Sequence, residues 1–415
     1  MNTKALLVSC MLSWSLASAA SPSDSQQQAE IEQFHSIMAS SVYPVAIDQG
    51  FVTGPGADWL RERAREAQFF VIGEQHATAD IALFSQALYR DLIADGYRHM
   101  ALEVGPWSTR FAERMMRRDP VAFEAFMADE KTYLALVFLF YREENQLAFD
   151  AVRASETGPV LWGLDQEFIA AAPILLPLLE TMAKTEQEAA AVAVAQGQAE
   201  EDPMWLGMTD PSALNGLRRA FESRGSNDAL ELIDAMILSN RIYMPFTGRG
   251  GTAYQANLER ENYMKANFLA HFRAEQTRSG HAPKVFLKFG AFHGSRGRSG
   301  TNVPALGDFL AEWGRSEGYG LFNLHIDCNG GQGLDIRSGQ AVDCKSYYFS
   351  DISAGKNSLQ AYFPEDGLAV IDLRGLRPYA HKMDFLDQAS VDLIYAYDAF
   401  MAMPNVSPAT GYKAQ

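Results

Sequence analysis

The sequence predicts an α/β protein: a mostly parallel central sheet with helices on both faces and a helical insertion capping one end. Three observations predict it. From about residue 60, short apolar runs rich in β-branched and aromatic residues alternate with helical patterns. Several of these runs are continuously apolar, as strands covered on both faces must be, whereas a sheet with one wet face alternates. One long stretch, from about Ile169 to Gln276, breaks the alternation with almost nothing strand-like.

Taken in chain order, residues 1–20 have the form of an export signal. Met1 to Lys4 give a charged start, Ala5 to Leu16 an apolar stretch, and Ala17-Ser18-Ala19 the small-x-small pattern, with cleavage expected near Ala19 or Ala20. The apolar run is shorter than the roughly 20 residues that span hydrocarbon. The expectation is an exported protein, periplasmic or secreted, with no integral membrane segment in the mature chain. Residues 21–59 read as an N-terminal leader whose first part, 21–33, is polar and loose, and residues 60–415 as one α/β domain with the helical insertion at about 169–276. Strands are expected at Gln68–Gly73, His99–Val104, Val160–Leu164, Val285–Phe289, Leu321–Ile326, Leu368–Leu373 and Val391–Tyr395. Helices are expected at Ile81–Asp95, Pro120–Met127 and, over more than 20 residues, Tyr254–Thr277. The apolar runs Tyr133–Tyr141 and Phe168–Leu179 read as buried helices.

Charge narrows the function. The 415 residues carry 35 Lys+Arg against 51 Asp+Glu, a formal net charge of −16. Binding a polyanion requires a basic face that releases counterions, so nucleic acid is excluded as a partner and an anionic membrane surface is disfavoured. A small molecule or a peptide remains as substrate. Cleavage of the signal removes Cys10 and leaves Cys328 and Cys344, an even count that favours a disulfide in an oxidising compartment.

The chemistry concentrates at strand ends. FFVIGEQH runs an apolar strand into Glu74 and His76, two residues apart and so projecting to one side. HMALEVG ends on Glu103, a carboxylate that is costly there unless it is paired or metal-bound. KVFLKFGAFHGSRG repeats the Gly-x-x-His spacing of Gly73 to His76 and delivers His293, and VLWGLDQE ends on Asp165, equally a helix cap or a site residue. On the helical insertion Arg260 is placed to hold an anionic oxygen, against a solvated helix as the alternative. Glu74, His76, Glu103 and His293 are the candidate ligands of a divalent ion, Zn, Mn or Fe, or else a metal-free acid/base set. The loop Gly294–Gly300 reads as a mobile loop beside the site, and the other histidines as structural or surface residues. The chain has no strand-borne G-x-S-x-G elbow, since its match to that string, Gly314 to Gly318, precedes a strand and does not follow one. It also lacks H-E-x-x-H and a strand-borne G-x-G-x-x-G, which together argues against an α/β-hydrolase, a zincin and a nicotinamide enzyme.

Strand-Gly-Glu-x-His, strand-Glu, strand-Gly-Leu-Asp, a long helical insertion and strand-Gly-x-x-His, in that order, resemble the erythromycin-esterase-like/ChaN-like superfamily, with TraB/Tiki-type Gly-x-x-His motifs. The resemblance implies an ester- or amide-cleaving hydrolase in which His76 is the base that activates water, surrounded by Glu74, Glu103 and His293. Only Gln75 separates Glu74 from His76, as in the ChaN-like pattern, which implies the alternative of a haem- or iron-binding protein without turnover.

Overall fold

The computed structural model describes residues 24–155, 158–222, 226–336, 338–346, 348 and 357–412; the export signal expected at residues 1–20 lies outside them. Eleven strands form among the described residues: β1 (Val42–Asp48), β2 (Phe51–Thr53), β3 (Phe69–Glu74), β4 (Tyr97–Leu102), β5 (Leu161–Gly163), β6 (Lys284–Gly290), β7 (Leu321–Cys328), β8 (Gln332–Leu334), β9 (Ala341–Asp343), β10 (Leu368–Asp372) and β11 (Ala399–Met403). Nine make one sheet in the order β2-β1-β10-β11-β7-β3-β6-β4-β5, and β8-β9 is a separate hairpin. From β11 to β5 every pairing is parallel, while β10, β1 and β2 add antiparallel strands at one edge.

The continuous apolar runs are explained by covering on both faces. In β3 every residue is buried, and its neighbours point oppositely. Phe70 stacks on Phe286 with Tyr97 at its edge, while Phe69 meets Trp313, Phe268 and Phe272 beneath the opposite helices. After β3 the chain skips a place to β4 and β5, returns to fill the gap with β6, and then crosses to the other side of β3 with β7. Open α/β sheets hold their ligands outside the carboxyl ends of strands where connections reverse in this way.

Residues 172–279 contribute helices and no strand among those described, the last of them Ala253–Ser279. Thr185 and Glu188 form a reciprocal capping box, and Asp210, Ser226 and Thr252 accept from the first-turn amides of the next three long helices. Ala253–Ser279 buries Met264, Phe268 and Phe272 against the sheet, so its neighbouring residues Arg260 and Glu261 are carried to the strand ends. No described helix is long and apolar enough to cross a membrane.

Several expectations fail locally. The polar leader is ordered: Asp24–Ala39 is a helix that buries Phe34 and Met38, and β1 pairs with β10. These two buried side chains, four residues apart, outweigh the polar composition around them. Val391–Tyr395 is not a strand but part of the helix Gln388–Ala396, because the Asp387 side chain accepts from the Ser390 amide and caps it. The strand lies further on, at Ala399–Met403, without the β-branched residues that announce one. Tyr133–Tyr141 is a series of turns, with Phe138 in the left-handed region at φ 61°, which no helix admits. The loop Gly294–Gly300 is tied down by Arg296 to Asp398 at 2.5 Å and by the Gly297 amide to Asp308 at 2.7 Å.

Cys328 at the end of β7 is bonded to Cys344 across a Cα–Cα distance of 5.9 Å. The enclosed hairpin donates the Leu334 amide to the Ala77 carbonyl at 3.0 Å, just beyond His76. Non-reducing peptide mapping is expected to recover the 328–344 pair. The Cys328→Ser/Cys344→Ser variant should lose about 3 kcal/mol in urea unfolding, as the chain-entropy cost of a loop of this length implies.

Candidate functional site

The ends of β3, β4 and β6 bring charged side chains into a place from which water is nearly excluded. Glu74 ends β3, Glu103 follows β4, and Lys288 points from β6 to join Glu74 and Glu144, the latter from the helix Arg142–Arg153. Lys288 is 2% exposed and reaches the Glu144 oxygens at 2.6 and 2.8 Å. His76 directs Nδ1 to Glu74 at 3.0 Å and Nε2 to Glu103 Oε2 at 3.5 Å.

Glu103 is the hub. Its Oε2 accepts the Gly290 amide at 2.8 Å, and its Oε1 accepts from Arg260 at 2.7 Å and faces His293 Nε2 at 3.2 Å. Arg260 is forked onto Asp165 at 2.9 and 2.5 Å, so Asp165 serves this cluster as well as its neighbouring Gln166 amide. His293 sends Nδ1 to Glu261 at 2.6 Å, and Glu261 accepts the Leu306 amide with its other oxygen at 2.8 Å. Each imidazole is therefore backed by its own carboxylate and turns Nε2 towards the same third one.

Carboxylates outnumber permanent cations here: Glu74, Glu103, Glu144, Asp165 and Glu261 meet Lys288 and Arg260. The imidazoles take up the deficit as protons. Burial opposes charge on His76, but Glu103 and Glu74 outweigh it and push its pKa up to about 9. His293 rises to about 10 against the same burial penalty, drawn chiefly by Glu103. Burial likewise works against the ionised Glu74 and Glu103, yet Lys288 and His76 hold the first below the ordinary carboxylate range, and His293 and His76 hold the second well below it. Glu144 goes the other way, up to about 7, through burial and the charge of Glu74.

Beside His76, Glu103 and Lys288 lies a cavity of about 20 Å³, room for about one water molecule. Leu102, Val104, Phe138 and Leu139 wall its other side. Phe138 is stacked on His76 at 4.1 Å between ring centroids, and at positive φ its bulky side chain sits on strained backbone.

The side chains do not fit the metal or haem expected from sequence. Among the described residues no three His, Cys, Asp or Glu groups converge as ligands of one ion. Both nitrogens of His76 and of His293 already face carboxylates, and Lys288 and Arg260 occupy the positions a cation would take beside Glu74 and Glu103. The cavity beside His76 is smaller than a porphyrin.

Sequence reading found Glu74, His76, Glu103, Asp165, Arg260 and His293, and all six lie in this cluster. Glu144, Glu261, Lys288 and Phe138 were missed. Lys288 had a signal, a lysine inside the apolar run KVFLKFG, and Phe138 lay in a run read as a helix; Glu144 and Glu261 look like any helical glutamate.

A parallel sheet with a carboxylate–imidazole cluster at its strand ends and a helical cap above defines the class. No family model matches the chain, and no curated protein matches it. Solved structures share its fold. A mutant of the erythromycin esterase EreC in its open conformation superposes with a TM-score of 0.58 at 15% identity, covering 85% of this chain and 94% of that one. A Bacillus cereus protein gives 0.56 at 14% identity over 91% and 98%, and a succinoglycan biosynthesis protein 0.57 at 13% over 94% and 99%. At these identities the likeness is one of fold: the chain has the erythromycin-esterase-like fold.

Two outcomes test this geometry. A Cβ at Gly290 would lie 2.5 Å from His76 Nε2, so Gly290→Ala, at an ordinary negative φ, should fold yet shift the His76 ring resonances in NMR. Exhaustive chelation should leave the thermal midpoint of the purified protein unchanged, because its carboxylates are paired internally.

Proposed function

We propose that the protein is a hydrolase of ester or amide bonds that activates water with His76, without a metal. The observation that supports this best is the water-sized cavity against His76, whose Nδ1 is held by Glu74 so that Nε2 is the working nitrogen. A substrate enters when Phe138 swings off the ring. The water gives a proton to Nε2 as its oxygen adds to the carbonyl carbon, and the π pair moves onto the carbonyl oxygen. Lys288 lines the cavity and supplies positive charge for that oxygen. Collapse expels the alkoxide or amine, which takes the proton from Nε2. Glu103 orients His76, while His293 and Arg260 keep Glu103 ionised and in place from its other oxygen.

The assignment fits the fold shared with an erythromycin esterase, and export would put the activity in the periplasm or outside the cell. The base must be neutral and its pKa stands at about 9, so the rate should climb with pH to that point. It should fall beyond about 10, where His293 loses its proton and the Glu103 pairing weakens. A pH–rate profile on p-nitrophenyl acetate, backed by a wider ester and peptide panel, measures this. His76→Ala should lower kcat by about a hundredfold or more. A flat profile through pH 9 or an unaltered His76→Ala rate would sink the base assignment.

A further inference from the structure

A second cleft lies at the opposite end of the sheet. It is lined by Arg110, Glu113, Arg114, Arg117, Arg118, Gly158 and Pro159, and holds about 340 Å³, within the range of small-ligand sites. Gly158 and Pro159 precede β5, whereas the acidic cluster lies where the parallel strands end. The arginines come from one helix, Pro106–Arg118, at spacings of four, three and one that keep them on one side.

One of the four is committed to the fold. Arg117 donates to Glu113 at 2.9 and 2.8 Å and to the Ser155 carbonyl at 2.7 Å, and Glu113 in turn accepts the Val160 and Leu161 amides. Among the described residues the other three are in no ion pair, although the charge of Arg110 acts on the buried Glu167. Arg110 lies over the Trp107 ring at 4.2 Å, and among the described residues Arg110, Arg114 and Arg118 form no ion pair with any carboxylate. The negative end of the helix macrodipole accounts for basic residues in the last turn, Arg117 and Arg118. It does not reach Arg110, two turns earlier.

Three guanidinium groups with no ion pair among the described residues, lining one cavity, repel one another, and an anion between them removes that cost. Planar guanidinium forks match tetrahedral oxyanions in geometry. We propose that this cleft binds a soluble phosphate-bearing small molecule. A lipid headgroup would offer the same chemistry, but a chain of net charge −16 is repelled by an anionic bilayer.

The test is calorimetric titration of the full-length protein with inorganic pyrophosphate, alongside sedimentation with phosphatidylglycerol vesicles. The expected result is saturable binding of one pyrophosphate per chain, weakened by added salt, with no vesicle binding. Arg114→Gln/Arg118→Gln should weaken it by about tenfold or more, as loss of charge-assisted hydrogen bonds implies, and should leave His76-dependent ester hydrolysis and the circular dichroism spectrum unaltered. The milder variant Arg114→Lys should bind with intermediate affinity. Absence of pyrophosphate binding, equal binding by the double variant, or binding of vesicles alone overturns the proposal.

Discussion

Everything at the acidic centre depends on how a buried carboxylate, Glu103, is kept ionised. Taking a carboxylate out of water costs several kcal/mol even after the protein relaxes. That cost is offset by an amide, a guanidinium and two imidazoles that converge on its two oxygens. Those groups arrive on three segments: Gly290 at the end of β6 with His293 in the short helix that follows it, Arg260 on the capping helix, and His76 after β3. Removing any one leaves charge uncompensated, so the cluster acts as a clasp between sheet and cap. The same pairing explains why the imidazoles hold their protons so firmly: they are the counter-ions.

Such an arrangement has a chemical consequence. An imidazole tuned to about 9 is a stronger base than a free one when neutral, but is mostly protonated at pH 7. For the proposed hydrolysis, turnover near neutral pH therefore requires that substrate entry weaken its contact with Glu103. Phe138, stacked on the ring and in a strained backbone conformation, is the group whose displacement would open the way. Closure here and proton affinity here are two aspects of one packed geometry.

Much of this was legible in the sequence. Buried parallel strands announce themselves as continuous apolar runs, and a charged residue where such a run stops has few places to go, which exposed Glu74, Glu103 and Asp165. The histidines were visible through their shared Gly-x-x-His setting. Partners on helices were not, because a helical glutamate that turns inward, like Glu261 at 1% exposure, has the same local sequence as one that faces water. The divalent ion was expected from the same cause: four candidate ligands were legible, whereas Lys288, a cation that stands among them, was hidden inside its strand. Two strands inside the sheet failed for another reason. β1 and β11 are defined by their partners β10 and β7 across long separations, and neither carries a distinctive pattern of its own.

The capping helix ties these observations together. Its apolar face, Met264, Phe268 and Phe272, fixes its axis on the sheet, and its preceding turn carries Arg260 and Glu261 to opposite sides of one small volume. Arg260 neutralises Glu103 and Asp165, whereas Glu261 holds His293 by Nδ1 and ties the helix to the Leu306 amide. Both contacts depend on the same rotation of that helix. A change of packing beneath it would move the guanidinium and the carboxylate together, altering the charge on both sides of Glu103 without touching the strands. The strand ends thus supply the imidazoles and Glu103, and the insertion sets their protonation.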